Sequence, residues 1–157
     1  MKETVAIIAH DSGGAEILSS WVLRSNYNYI YVLKGPAKNI FFRNHKGNRH
    51  YLVILEHMQA LAIRDLEQRL KQGKLSFASP KRMLKYLGVS PGSVSPFGLI
   101  NDQENHTHLF LDENLKSSGR ISFHPNINTA SLVISFSDFE KFLLWTGNTF
   151  EYIKLYD

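Results

Sequence analysis

The chain contains no cysteine among its 157 residues. That excludes disulfides and a cysteine nucleophile, and it fits a cytosolic protein. No apolar run approaches the roughly 18 residues of a membrane span. The first residues lack the basic segment and long apolar stretch of a secretory signal. The expectation is therefore a cytoplasmic protein with no membrane partner. Internal repeats and low-complexity tracts are also missing. Acidic residues are scarce in one part of the chain. Between Ile17 and Asn101 only Glu56, Asp65 and Glu67 stand against thirteen Lys and Arg, a net +10. From Asp102 onward eight acids outweigh four bases. Such a split suggests a polyanion partner for one face, and an unevenly charged, solvated surface is the bland alternative.

What is present is the composition of an ordinary globular protein, 43% hydrophobic and 20% charged, at one domain's length. Residues 1–157 are expected to form a single domain. Thr4 to Ala9 reads as a buried strand, Ala15 to Leu23 as a helix and Tyr29 to Leu33 as a strand. The turn at Asp11-Ser-Gly-Gly is no phosphate fingerprint, because a full G-x-G-x-x-G is missing. Ile40 to Arg43 and Tyr51 to Leu55 form a hairpin with Gly47 at its tip. Arg43, Lys46 and Arg49 flank or occupy it, as a grip on RNA phosphates or as edge charge that blocks aggregation.

Ile63 to Leu70 has helical spacing, and Leu75 to Ala78 is a strand. Ser79 is placed to cap a helix that starts at Pro80 and ends at Gly88. Lys81, Arg82 and Lys85 line that helix's polar face. Strands follow at His108 to Leu111, Ile121 to His124 and Ser131 to Ser135. Ser137 is then placed to cap a helix from Asp138 to Trp145, and Phe150 to Leu155 is the last strand. His106 and His108, two apart, are expected on one face. No further ligand has suitable spacing, so neither a metal nor another cofactor is expected.

Two polar loops hold the chemistry. Gly88 to Pro96 has two glycines, two prolines and three serines in nine residues. Turn residues of this kind can aim several backbone N–H groups at one point, a nest for an oxyanion or phosphate. His124 to Thr129 offers Asn126, Asn128 and Thr129 as small polar contacts for a ligand. Plain surface loops between strands are the competing reading. No Ser-His-Asp triad is evident.

LGVSPGSVSPFGLIND, followed by FHPNINTASLVIS and a helix ending in WTG, resembles the YbaK/ProX family of aminoacyl-tRNA deacylases. These are free-standing relatives of the editing domain inserted in bacterial prolyl-tRNA synthetases. The resemblance extends upstream through KLSFASPKRM and YLVILEH to AKNIFFRN, and so covers Gly35 to Asp157. It implies an α/β (α+β) fold with a central mixed, largely antiparallel sheet flanked by helices. It implies a tRNA partner bound at its acceptor end, with prolyl-tRNA synthetase as a candidate second partner. The GSVSPFGLIND version is similar to the branch that clears alanine from tRNA for proline.

By the same resemblance, Lys38 matches the family's functional lysine and Asn39 the asparagine beside it. They hold the terminal adenosine end near the ester. Gly92 belongs to the loop that lines the acyl pocket, with Ser93 and Ser95 as substrate contacts, and His124 matches the histidine that positions substrate. The first 34 residues depart from the family, whose members begin with a strand carrying His-Pro and a short acidic helix. That region helps wall the acyl pocket in the family. The acyl group therefore stays open between alanine and another, such as cysteine or serine. A nucleic-acid-binding module without catalysis is the alternative from another class.

Overall fold

The computed structural model describes residues 6–9, 37–56, 59 and 62–156. The expected helix at residues 15–23 and strand at residues 29–33 lie outside the described residues. Strand β1 is Ala6–Ala9, β2 is Lys38–Asn44 and β3 is His50–Leu55. Helix α1 (Ile63–Leu70), strand β4 (Leu75–Phe77) and helix α2 (Pro80–Leu87) follow. A 3-10 turn at Pro96–Asn101 leads to β5 (Thr107–Asp112), and another at Glu113–Ser117 leads to β6 (Arg120–Phe123). Strand β7 (Ala130–Ser135) runs straight into α3 (Phe136–Thr146), and β8 is Phe150–Ile153.

The expected mixed sheet with flanking helices is present, divided into two. A five-stranded sheet has the order β4-β2-β3-β5-β8. Strand β2 is antiparallel to β3 and β4, whereas β3–β5 and β5–β8 are parallel. A second sheet, β1-β7-β6, is antiparallel throughout. The two are joined where Ala37 N donates to Ser122 O at 2.8 Å, just ahead of β2. Parallel pairing of β3 with β5 needs a long crossover, which α1, β4 and α2 supply.

Strand β3 explains the layering. All six residues of HYLVIL are buried, as expected of a near-continuous apolar run with parallel pairing on one side. Leu52 and Ile54 join one hydrophobic cluster with Phe41, Leu109, Leu111, Phe123 and Phe139. Tyr51, Val53 and Leu55 join a second with Phe42, Phe110 and the α1 residues Leu66 and Leu70. Side chains alternate across a strand, so neighbours on β3 serve different cores.

Three local expectations need correction. Ser79 sits at the N-cap of α2, but its hydroxyl makes no capping bond. Pro80 removes one unsatisfied donor, and the N–H groups of Arg82 and Met83 go to Ser79 O. The cap of α3 is Ser135, whose hydroxyl accepts from Asp138 N at 3.1 Å, so the helix begins two residues earlier than Ser137 implied. His106 and His108 do not share a face. His106 precedes β5 and turns to His50, while His108 meets Thr149 and Glu151 across the β5–β8 pair.

The end of α2 is clamped by the chain that follows. Gly88 takes φ +64 at the C-cap, and Asn101 Nδ2 donates to Leu87 O at 2.9 Å. Gly98 lies so close that a Cβ there would fall 2.7 Å from Leu87 O. That oxygen is backbone and cannot swing aside. Gly98→Ala is expected to destabilise the fold by about 1–3 kcal/mol, the usual range for overpacking. Urea unfolding should show a lower midpoint at unchanged slope; a parent-like midpoint would show that the turn can move.

Candidate functional site

The first loop is rigid at its base and exposed at its tip. Val89 is buried, and Val94 and Phe97 pack on the core. Ser93 N donates to Ser90 O at 3.0 Å, closing a turn around Pro91 and Gly92. Gly92 takes φ +86, a conformation that disfavours any side chain. Ser93 is buried. Ser95 is fully buried, and its hydroxyl accepts from Phe97 N at 3.2 Å, capping the 3-10 turn. Ser95 thus holds the loop's shape.

The second loop is closed by its own histidine. His124 Nδ1 donates to Ala130 O at 2.8 Å. A carbonyl only accepts, so the proton is on Nδ1 and the ring's orientation is set. Asn126 takes φ +62, unusual for a residue with a side chain. Asn128 and Thr129 are exposed. The two loops meet, since a Cβ on Gly92 would stand 3.4 Å from Asn128 Nδ2.

The third segment is the entry into β2. Ala37 is bonded to Ser122, two residues before His124. Asn39 Nδ2 donates back to Ala37 O at 2.9 Å. Of the six buried side-chain oxygens without a hydrogen-bond partner among the described residues, two lie in the strand entry and the second loop, Asn39 Oδ1 and Asn126 Oδ1, while Ser122 Oγ is on the face of β6 opposite Phe123. Unpaired buried acceptors are costly. Asn39 and Asn126 each thus keep an acceptor that a polar ligand could pair.

Lys38 and Asn39 part company here. Lys38 is the first residue of β2, not a residue ahead of the strand. It pairs with Leu55 and Asn39 pairs with Ile54, which belong to different cores. Asn39 therefore faces the side of Phe123, Val94 and the two loops. Lys38 faces the α1 side, where its Nζ donates to Gln59 O at 3.3 Å. The sheet separates the two faces, and Lys38 stands at the strand's first position.

The expected RNA-binding cations also divide. Arg43 donates to the carbonyls of Asn44 and His45, and Arg82 donates to Gly47 O at 2.9 Å. Both clamp the hairpin turn. Lys46, Arg49 and Lys81 are exposed.

Sequence reasoning missed His50. It is buried at the base of the hairpin, between the rings of Phe41 and Tyr86. Arg82 lies 3.0 Å from Nε2 and can only donate, so Nε2 accepts. Nδ1 then carries the proton and donates to His106 Nε2 at 2.8 Å, and His106 stacks on Tyr86. Nothing in the local pattern marks this pair, which is 56 residues apart. A histidine inside an otherwise apolar strand was the one available signal.

Comparison with known proteins places these segments in a family. The model of the aminoacyl-tRNA editing domain matches residues 33–142, which include all three segments. The chain is 42% identical over 130 residues to the prolyl-tRNA editing protein ProX of Acetoanaerobium sticklandii, covering 83% of this chain and 76% of that protein. It is 32% identical over 125 residues to the mouse prolyl-tRNA synthetase associated domain-containing protein 1, covering 76% and 73%. A crystal structure described as a candidate trans-editing enzyme for prolyl tRNA synthetase superposes with a TM-score of 0.60 at 18% identity, over 96% of this chain and 86% of that one. At that identity the likeness shows the fold.

The His50 chain predicts a pH dependence. Burial, then the charges of His106, Arg82, Lys85 and Arg43, lower the His50 pKa from 6.5 to about 4. Between those values the unfolded chain binds a proton that the folded chain does not. Stability is therefore fully present above pH 6.5 and declines as pH falls toward 4. Thermal melts from pH 7.5 to 4.5 should show that decline in the parent and a shallower one in His50→Gln. Equal slopes would assign the acid sensitivity to other groups.

Proposed function

Because the chain belongs to the aminoacyl-tRNA editing domain family, we propose that it hydrolyses mischarged aminoacyl-tRNA in trans, with Ala-tRNA for proline as its substrate. The observation that carries this reading is the meeting of the Gly92 and His124 loops beside the entry into β2, with buried unpaired oxygens on Asn39 and Asn126. An aminoacyl end offers matching donors, an α-ammonium and a ribose hydroxyl. Each donates to an acceptor of this kind.

The chemistry asks little of the protein. An aminoacyl ester is already activated, so positioning the ester beside a water and stabilising the oxyanion suffice. The Gly92 tip supplies the Gly92 backbone N–H in a turn that tolerates close approach, since Pro91 has no N–H and Ser93 N is spent on Ser90 O. His124, its ring oriented by Ala130, positions the substrate. The ester carbonyl takes up the attacking oxygen, the tetrahedral intermediate collapses, and the tRNA hydroxyl leaves with a proton. No triad is required. Lys38, at the strand's end, serves as a point charge for the phosphate of the terminal nucleotide, outside the acyl pocket. Selection follows size: a pocket that fits alanine excludes the prolyl ring by overlap. The relative named ProX supports a proline system, and a synthetase for proline is the natural upstream partner.

The test is single-turnover deacylation of a panel of tRNAs charged with alanine, cysteine, serine and proline. Alanine on tRNA for proline should be released fastest, and correctly charged prolyl-tRNA should survive. Lys38→Ala should lower the rate roughly 100-fold, as loss of a positioning contact does, while stability changes by within about 0.5 kcal/mol. Lys38→Arg should rescue only in part, because the guanidinium is larger and planar. A Lys38→Ala protein that melts normally and deacylates at the parent rate would remove Lys38 from the site. A parent inert toward every charged tRNA would leave a binding module.

A further inference from the structure

A groove of about 490 Å³ lies at the other end of β2 from Lys38, between the hairpin turn and the turn joining α1 to β4. The hairpin contributes His45, Lys46 and Arg49, and the second turn contributes Lys71 and Lys74. These residues come from segments some 25 positions apart in sequence, and the fold alone brings them together. All five side chains are exposed. None of the four Lys and Arg is ion-paired among the described residues. The acid closest in sequence, Glu67, spends Oε1 on Leu75 N at 2.7 Å.

Both walls are preorganised. Asn44 Oδ1 accepts from Asn48 N and Arg49 N, while Arg43 and Arg82 hold the turn's carbonyls from behind. The opposite wall turns through Lys71 at φ 53 and Gly73 at φ 76. Tyr51 OH donates to Gln72 Oε1 at 3.0 Å, tying that turn to β3. Like charges gathered around one groove repel one another, and an anion between them relieves that repulsion. A fixed groove of unpaired Lys and Arg, with amide side chains at its rim, suits a run of phosphodiesters.

We infer that this groove holds the phosphate backbone of the tRNA, at a point remote from its aminoacyl end. This rests on the proposed tRNA substrate. The separation agrees with it: β2 has seven residues, which at about 3.3 Å each span roughly 20 Å. The groove therefore holds no part of the terminal nucleotide. It grips nucleotides further along the same molecule and adds affinity without sequence readout.

The experiment is equilibrium binding of uncharged tRNA for proline at several salt concentrations. It compares the parent with two double variants, Lys46→Gln with Arg49→Gln and Lys71→Asn with Lys74→Gln. Asparagine is chosen at Lys71 because it tolerates the left-handed conformation. Each pair should weaken binding at least tenfold at low salt. Each should lower the slope of log affinity against log salt by about 1.4–1.8, since each phosphate contact contributes roughly 0.7–0.9. Parent-like melting temperatures exclude misfolding. Parent-like affinity in the Lys71 and Lys74 variant would overturn the groove, whatever the hairpin pair does. So would a parent that binds no tRNA. A parent that binds through the groove yet deacylates nothing would overturn the hydrolase reading and leave the groove standing.

Discussion

Burial of β3 on both faces is the constraint on which the structure depends. Two hydrophobic cores are assembled on one six-residue strand, and every neighbour is placed by its register with it. Strand β2 pairs with it antiparallel and β5 parallel, so α1 and α2 must occupy the crossover between them. The same register decides a functional question. Asn39, opposite Ile54, faces the loops, and Lys38, opposite Leu55, does not. A slip of one residue would exchange them. The core pattern and the site pattern are thus one specification.

The candidate site is built where that regularity stops. Its parts are a left-handed glycine at Gly92, a left-handed asparagine at Asn126, a histidine folded onto its own loop, and a strand end tied to a second sheet through Ala37 and Ser122. Each is held from beneath by apolar anchors such as Val89, Phe97 and Phe123. Rigid bases with exposed polar tips allow polar atoms to be buried without partners. A flexible loop would turn them to water. The unpaired buried oxygens of Asn39 and Asn126 cost stability that a donor on a ligand would restore.

The cationic residues show a related division of labour. Arg43 and Arg82 spend their guanidinium groups on the carbonyls of the hairpin turn, and Arg82 also fixes the proton arrangement of His50 and His106. A planar fork of donors suits that inward task. Lys46, Lys71, Lys74 and Lys81, with Arg49, stay outside. Net charge alone cannot distinguish an arginine that holds a turn from one that meets a phosphate.

Much of the architecture was determined by the sequence alone. Helices at Ile63–Leu70 and Pro80–Leu87, the Gly47 hairpin and the glycine end of α2 follow from periodicity and turn chemistry. Those signals are local and act within a few residues. The two polar loops were legible for the same reason, and the match to the editing domain family agrees with the motifs they carry. Tertiary structure decided the rest. It split the strands into two sheets, gave the cap of α3 to Ser135 and Ser95 to a 3-10 turn, set His106 on His50, and sent Lys38 and Asn39 to opposite faces. It also gathered Lys46, Arg49, Lys71 and Lys74 around one groove. Each of these depends on which distant residue stands opposite. That is settled by the packing of two cores on β3, which no local pattern contains.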